Sequence, residues 1–168
     1  TIKIAIVGKP NVGKSSWINN LLKESRLITN DAPGTTRDYI AVESQFKGQK
    51  FQIIDTAGMQ QKDRHAKDLD FFIFTRSMRA IHLADVVCIM IDITKGISVF
   101  DKRLMQEVYE IGKPFFVLAN KSDLIDKVPF EEIQNQIPKF ISVKEVSAYQ
   151  RKGSFPFYTI SKDLCHKS

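Results

Sequence analysis

The chain has 168 residues, of which 43% are hydrophobic and 26% are charged. That balance excludes a disordered, fibrous or membrane-embedded chain and predicts one globular domain with a single core. The formal net charge is +6, with the basic residues spread along the chain, so a solvated lysine-rich surface and an RNA partner both remain open.

The two cysteines, Cys88 and Cys165, have neither a disulfide-framework nor a metal-ligand spacing. We therefore expect a reducing, cytoplasmic compartment. No apolar stretch is long enough to span a membrane, and the N-terminus reads as a strand entering a Gly-rich loop rather than as a signal peptide. Because Thr1 stands directly before a core strand, we expect a domain excised from a longer protein.

Short apolar runs recur along the chain, each followed by a polar loop and a helix-like segment. The runs are Ile2–Val7, Phe51–Ile54, Val86–Ile91 and Phe115–Leu118. Such runs are typical of parallel strands buried on both faces, so helices are expected on each side of a central sheet. The mixed run Ile40–Phe46, joined to Phe51 by the turn Lys47–Lys50, predicts one antiparallel edge strand.

The remaining elements complete an α/β pattern. A further strand is predicted at Phe140–Val146. Helices are predicted at Ser15–Lys23, His65–Leu83, Val99–Ile111, Phe130–Gln136 and Pro156–Leu164. In the second of these, the aromatic cluster Phe71, Phe72 and Phe74 has the spacing of a core-facing side. Since no repeat or linker is present, we expect residues 1–168 to form one doubly wound, mostly parallel six-stranded sheet with one antiparallel edge strand.

The first strand leads into a phosphate-binding motif. Gly8–Ser15 reads GKPNVGKS and matches G-x-x-x-x-G-K-[ST] between a strand and a helix. Gly8 and Gly13 let the backbone curl so that its N–H groups surround phosphates at the N-terminus of the helix. Lys14 is expected to reach the β- and γ-phosphates, and Ser15 to hold Mg²⁺. The motif predicts a P-loop NTPase fold. The other predicted phosphate-loop residues are Asn11, Val12 and Ser16.

Two further loops are predicted near the γ-phosphate. Asp55–Gly58, reading DTAG, follows the strand Phe51–Ile54, so the Asp55 carboxylate is placed for Mg²⁺. Gly58 has no Cβ and can bring its N–H close to the γ-phosphate. The polar segment Asp31–Asp38 reads as a switch loop, from which a threonine hydroxyl can complete the Mg²⁺ shell when a γ-phosphate is present.

The segment Asn120–Asp123, reading NKSD, decides the base. A carboxylate accepts two hydrogen bonds from N1–H and N2–H₂ of guanine, whereas adenine has no such donor pair, so Asp123 favours GTP over ATP. The stem of Lys121 can cover the base plane, and Asn120 can tie this loop to the phosphate loop. Ser147 and Ala148, the least specific element, are expected to offer a backbone N–H to guanine O6.

With GKPNVGKS, GTTRD, DTAG, NKSD and SA in this order, the chain resembles translation-factor-class GTPases. The longer stretches GKPNVGKSS, SRLITNDAPGTTRD, IDTAGMQQK, RAIHLADVV and IDITKGI are similar to the EngA (Der) family, and to its second GTPase domain in particular. The resemblance implies two tandem GTPase domains and a KH-like domain in the complete protein. It also implies two kinds of partner: ribosomal RNA or the large ribosomal subunit, whose assembly these proteins assist, and neighbouring domains of the same chain. No membrane partner is expected, because no apolar stretch is long enough to span one.

The resemblance also assigns roles to single residues. The residues expected to contact the phosphates and Mg²⁺ or to respond to the γ-phosphate are Lys14, Ser15, Thr36, Asp55 and Gly58. The residues expected to contact guanine are Asn120, Lys121 and Asp123. In related GTPases an asparagine at the position of Asn11 helps to hold a potassium ion that replaces an arginine finger. The implied cofactors are therefore GTP or GDP, Mg²⁺ and K⁺.

One position departs from the pattern of small GTPases. Met59 stands where many of them have a catalytic glutamine, and a thioether cannot orient water by hydrogen bonding. Gln60 and Gln61 are near, but their spacing assigns neither a role. Three interpretations stay open: a GTP hydrolase acting in large-subunit assembly, a GTP/GDP-dependent binding module with negligible hydrolysis, and the GTPase domain of a related tRNA-modification protein.

Overall fold

A computed structural model describes residues 1–10, 12–18, 26–29, 40–46, 48–55, 66–121, 130–136 and 143–145. The strands are β1 (Ile2–Val7), β2 (Arg26–Thr29), β3 (Ile40–Phe46), β4 (Gln49–Asp55), β5 (Val86–Asp92), β6 (Phe115–Asn120) and β7 (Val143–Glu145). The helices are α1, described over residues 14–18, α2 (Ala66–Leu83), α3 (Val99–Ile111) and α4 (Phe130–Gln136). Strands and helices alternate along most of the chain, as predicted.

The strands form one sheet in the order β2-β3-β4-β1-β5-β6-β7. β1 pairs in parallel with β4 on one side and β5 on the other, and β6 and β7 continue the parallel arrangement. β3 runs antiparallel to both of its neighbours, β2 and β4. These pairings confirm the doubly wound, mostly parallel α/β fold.

The edge of the sheet differs from the prediction. Over the described residues the sheet has seven strands rather than six, because Arg26–Thr29 adds β2 outside β3. The antiparallel strand β3 is therefore second from the edge, and β2 is the edge strand. The four-residue RLIT segment is too short for its residue pattern to predict a strand, and it gains its pairing from β3. The turn is also tighter than predicted, since Phe46 pairs with Gln49 and Gly48 has a φ of 81°.

The core lies on both faces of the sheet. Every residue of β5 is buried, which is why its sequence is a continuous apolar run rather than an alternating one. Ile89 packs in the half of the core that contains side chains of α2 and α3. Cys88 and Met90 pack in the other half, together with Trp17 of α1. Helices therefore cover both faces, as the apolar runs predicted.

The aromatic cluster of α2 is only partly core. Phe74 is buried and meets Phe100 of α3 edge-on, with 6.0 Å between ring centroids. Phe72 is half-buried under the guanidinium of Arg76, which lies 5.2 Å from the ring centroid. Phe71 is 71% exposed. The expectation of core packing is right for Phe74 and wrong for Phe71, because helical spacing indicates a side of the helix and not how far the core extends along it.

The predicted bounds of α3 and α4 are confirmed, and the predicted helix Ser15–Lys23 is confirmed over residues 15–18, with α1 beginning one residue earlier, at Lys14. The helix predicted at Pro156–Leu164 lies outside the described residues. Among the helices that the structure describes, none combines the length and apolarity needed to cross a bilayer.

Candidate nucleotide-binding site

The predicted site loops share one edge of the sheet. In the strand register Ile6 pairs with Asp55, and Asp92 pairs with Asn120. The carboxyl ends of β1, β4, β5 and β6 therefore lie side by side, and Gly8 leaves β1 at that edge. In the sheet, β2, β3 and β4 lie on one side of β1, and β5, β6 and β7 lie on the other. The strand order thus reverses at β1, and ligands of doubly wound sheets bind at such a switch point.

The two glycines of the phosphate loop are required by their surroundings. Gly8 has a φ of 153°, and a Cβ at this position would overlap the carbonyl oxygen of Met90 in β5. Gly13 has a φ of 100°, and a Cβ there would overlap Nδ2 of Asn120. Any side chain at either position would be strained and would displace a neighbour. The two glycines therefore let the phosphate loop lie directly against the end of β5 and the side chain of Asn120.

Lys14 lies over this loop. It begins α1 and is 6% exposed. Its Nζ donates to the carbonyl oxygens of Gly8 at 2.9 Å and Lys9 at 2.7 Å. Trp17 N donates to Gly13 O at 3.0 Å, which starts the helix. Amides that precede such a first bond have no intrahelical acceptor, and together with the ammonium they make the loop attractive to anions.

Asn120 joins the predicted base loop to the phosphate loop. Its Nδ2 donates to Val12 O at 2.8 Å, and the bond is buried although the two residues are 108 positions apart. The backbone carbonyl oxygen of Asn120 accepts from Ile93 N at 3.1 Å. The predicted tie between the two loops is thus present, and the end of β6 is also held against the end of β5.

Lys121 adopts an unusual backbone conformation. Its φ is 63°, in the left-handed region that costs a residue with a Cβ about 1–2 kcal/mol. Its Nζ donates to Oδ2 of Asp92 at 2.9 Å. Oδ1 of Asp92 accepts from Thr94 N at 3.0 Å and from the Thr94 hydroxyl. The lysine side chain therefore runs back to the end of β5, where the carboxylate is fixed by a turn.

Asp92 is ionised in this setting. Burial by itself would raise the pKa of the carboxyl group, but the hydrogen bonds from Thr94 and Lys121 outweigh that effect and the pKa is lowered. The Asp92–Lys121 contact is therefore an ion pair between a buried carboxylate and a half-buried ammonium.

A second buried carboxylate lies at the start of α3. Oδ2 of Asp101 accepts from Ser98 N at 2.9 Å, and Ser98 Oγ accepts from Asp101 N at 3.1 Å. Among the described residues, Oδ1 of Asp101 is buried and has no hydrogen-bond partner. Burial raises the pKa of this carboxyl group, and the bonds from Ser98 and the charges of Lys9 and Lys14 offset the rise only in part. Burial therefore outweighs the effects that favour the ionised form of Asp101.

Comparison with known proteins identifies the family. The family model for a 50S ribosome-binding GTPase matches residues 3–121. The chain belongs to this GTPase family. It is 39% identical over 163 residues to GTPase Der of Variovorax paradoxus (strain S110), covering 94% of this chain and 36% of that protein. It is 43% identical over 136 residues to GTPase Der of Sulfurihydrogenibium sp. (strain YO3AOP1), covering 81% and 31%.

The chain thus spans about a third of the length of the curated relatives that it matches. The predicted resemblance to the EngA (Der) family is confirmed, and the assignment to the second GTPase domain stays a prediction.

Solved GTPase structures share the fold. Era in complex with MgGDPNP and a segment of 16S ribosomal RNA aligns with a TM-score of 0.69 and 27% identity, covering 97% of this chain and 55% of that chain. Translation elongation factor SelB from Methanococcus maripaludis, in complex with the GTP analogue GPPNHP, aligns with a TM-score of 0.70 and 17% identity, covering 99% and 34%. The predicted P-loop GTPase fold is confirmed.

The structure brings together part of the site that this family membership implies. Gly8, Val12, Gly13, Lys14 and Asn120 meet around the phosphate loop. The first turn of α1 also contains the exposed residues Ser15 and Ser16, and Asp55 ends β4 beside β1. Six predicted site residues lie outside the described residues, and their roles stay predictions: Asn11, Thr36, Gly58, Asp123, Ser147 and Ala148.

Two residues of this GTPase region were missed from the sequence, Asp92 and Asp101. Asp92 ends a buried apolar strand, as Asp55 does, and that position was a usable signal. Asp101 stands three residues after Ser98 in the S-x-x-D arrangement of a capping box, which predicts the cap but not the burial of the carboxylate.

Proposed function

We propose that this chain binds GTP and GDP and hydrolyses GTP to GDP and phosphate, with Mg²⁺ as cofactor. The observation that carries the proposal is the buried hydrogen bond from Asn120 to Val12. Because one side chain holds the base loop against the phosphate loop, a nucleotide with its phosphates on Gly8–Ser15 has its base directed toward Asn120–Asp123. Guanine is favoured because the carboxylate of Asp123 matches the two donors on its edge.

The phosphate loop suits a triphosphate. Gly8 and Gly13 allow the positive-φ turns by which backbone N–H groups can surround phosphates, and Lys14 supplies a positive charge. In hydrolysis the water oxygen attacks the γ-phosphorus, the bond to the β–γ bridging oxygen breaks, and GDP leaves with that oxygen while the water protons pass to phosphate and solvent. Lys14 stabilises the negative charge that develops on the bridging and γ-oxygens.

The oxygen-bearing residues fit Mg²⁺. Ser15 is exposed at the start of α1, and Asp55 ends β4 next to β1. Hydroxyl and carboxylate oxygens are the ligands that this ion prefers, and Thr36 would complete the set. When bound, the ion neutralises charge on the β- and γ-phosphates. The backbone N–H of Gly58 would donate to the γ-phosphate. K⁺ held by Asn11 would supply the positive charge that an arginine finger supplies in other GTPases.

We further propose that the complete protein uses this switch in assembly of the large ribosomal subunit, in the cytoplasm. The description of the matched family and the net charge of +6 support ribosomal RNA or the large subunit as the partner, alongside neighbouring domains of the same chain. Cys88 is a buried free thiol whose pKa is raised by desolvation, which is compatible with a reducing compartment.

The base assignment is tested by calorimetric titration of GDP, xanthosine diphosphate and ADP into wild type and Asp123→Asn. The variant is expected to lose roughly ten- to hundredfold in GDP affinity and to gain affinity for the xanthine nucleotide, because the edge donors then no longer match. Asp85→Asn, an exposed aspartate at the opposite end of β5, is the matched control. An unchanged preference for GDP in Asp123→Asn would contradict the base-reading role.

Hydrolysis is tested by single-turnover phosphate release with and without large ribosomal subunits, in K⁺ or Na⁺ at equal ionic strength. Lys14→Met is expected to slow release by about a hundredfold or more, whereas Lys102→Met, at an exposed lysine of α3, should not. Subunit binding that depends on nucleotide without phosphate release would favour the binding-module interpretation, which Met59 motivates. Equal rates in K⁺ and Na⁺ would remove the Asn11 assignment.

A further inference from the structure

We propose that Asp92 is a positioning residue for the base-binding loop, acting through Lys121. In this proposal the carboxylate holds the lysine side chain in the orientation that lays its methylene stem over the guanine plane. The inference rests on the proposed function and deepens it, because it names a residue that helps to set affinity for the base without touching the nucleotide.

The two partners of the Asp92–Lys121 ion pair differ in burial. The Asp92 side chain is 6% exposed and that of Lys121 is 32% exposed, with 2.9 Å between Oδ2 and Nζ. The other carboxylate oxygen accepts from the backbone N–H and the hydroxyl of Thr94. Because Thr94 holds the Asp92 carboxylate, the ammonium of the more exposed lysine is paired with a positioned partner.

The strand register makes this contact specific. Asp92 pairs with Asn120 across β5 and β6, so the carboxylate lies next to the residue that begins the base loop. Ile93 N donates to Asn120 O at 3.1 Å and holds the backbone of that loop against β5. Lys121 is the next residue, and its side chain returns across the same strand pair to reach Asp92.

The left-handed backbone conformation of Lys121 is stabilised by contacts with neighbouring residues. A lysine with a φ of 63° persists where the surrounding structure determines it. The bond from Asn120 to Val12 and the bond from Ile93 to Asn120 act on the start of the loop. The ion pair with Asp92 acts on the lysine side chain itself. Asp92 thus links the end of β5 to the part of the loop that faces the base.

The test measures GDP and inorganic tripolyphosphate binding to wild type, Asp92→Asn, Lys121→Met and the double variant. Asp92→Asn is expected to weaken GDP binding by about tenfold, within the range of coupling between residues in contact. Tripolyphosphate affinity should not change, since this probe engages the phosphate loop alone. In the Lys121→Met background, Asp92→Asn should cause no further loss. Asp85→Asn, whose Oδ2 accepts from Lys3 N at 2.9 Å, serves as the control.

An equal loss for GDP and tripolyphosphate, an equal loss in both backgrounds, or an unchanged GDP affinity would each overturn the proposal. If Asp92→Asn does not fold, Thr94→Val, at an exposed residue, removes the hydroxyl that donates to the same carboxylate. That variant should weaken GDP binding about two- to threefold in wild type and not in Lys121→Met, and an equal effect in both would overturn the proposal. A wild-type protein that binds tripolyphosphate but not GDP would instead overturn the proposed function.

Discussion

At the scale of single residues, Gly13 and Gly96 show how surroundings decide what a glycine contributes. Both have a positive φ, 100° at Gly13 and 72° at Gly96. A Cβ at Gly96 would meet open space, whereas a Cβ at Gly13 would overlap Nδ2 of Asn120. That amide is the donor to Val12 O. Gly13 therefore serves both the turn of the phosphate loop and its attachment to the base loop.

Gly13→Ala is expected to lower the free energy of unfolding more than Gly96→Ala. Both variants carry left-handed strain of about 1–2 kcal/mol. Gly13→Ala also displaces Asn120 from Val12, which leaves a buried polar group unpaired at a cost of about 1–3 kcal/mol. Urea denaturation measures the difference, and GDP titration should show weaker binding for Gly13→Ala alone. Equal behaviour of the two variants would contradict the steric role of the missing Cβ.

At the scale of elements, α3 has well-defined ends and one unfavourable group. Ser98 caps its start with a φ of −88°, and Gly112 ends it with a φ of 84°. Gly112 N donates to Val108 O at 3.1 Å and Tyr109 O at 3.0 Å. Within the capping box, Oδ1 of Asp101 is buried and has no hydrogen-bond partner in the part of the chain that the structure describes. The helix start thus combines a stabilising cap with a carboxylate that would be more stable uncharged.

Asp101→Asn is expected to stabilise the fold at neutral pH and to lose that advantage in acid. The raised pKa of Asp101 means that ionisation disfavours the folded state. This penalty is absent below the unfolded value of about 3.9 and grows as pH rises through the folded pKa. Denaturation from about pH 3 to neutral pH should show the difference between variant and wild type increasing with pH.

The amide of the Asp101→Asn variant can still accept from Ser98 N, so the cap is retained. Leu83→Ala, at an exposed position of α2, changes no titrating group and should differ from wild type by the same amount at each pH. A difference for Asp101→Asn that stays constant or shrinks as pH rises would contradict the account.

At the scale of the whole molecule, β5 connects the two halves of the core and the site. Its register with β1 pairs Ile89 with Val7, and its register with β6 pairs Ile89 with Val117. The carbonyl of the next residue, Met90, lies where a Cβ on Gly8 would be. Packing along this strand therefore also sets the close approach that shapes the phosphate loop.

Ile89→Ala is expected to lower the free energy of unfolding by about 2–5 kcal/mol, since it removes a fully buried side chain from a packed core. Val99→Ala, at a side chain that is 83% exposed, should change it by no more than about 0.5 kcal/mol. Chemical denaturation with an unchanged denaturant slope gives both values. Losses of similar size for the two variants would show that β5 is not the centre of the core.

The parts of this fold that were predictable are those whose causes are local. The bounds of α3 follow from a serine cap and a terminal glycine, and the buried strands follow from continuous apolar runs. The phosphate loop was recognisable because a strand, two glycines, a lysine and a serine must occur in that order to surround phosphates. The tie from Asn120 to the phosphate loop was also predicted, although β5 lies between β1 and β6.

Tertiary structure decided what depends on neighbours distant in sequence. β2 exists because β3 offers it a partner, and Phe71 is exposed because the core ends before it. Asp92 and Lys121 are 29 residues apart, and only the register of β5 and β6 brings them within an ion-pair distance. The sequence alone determined the chemistry of the loops, since each motif carries its own donors and acceptors. The sheet decided which charged side chains from other elements contact these loops, because strand pairing sets the distance between groups such as Asp92 and Lys121.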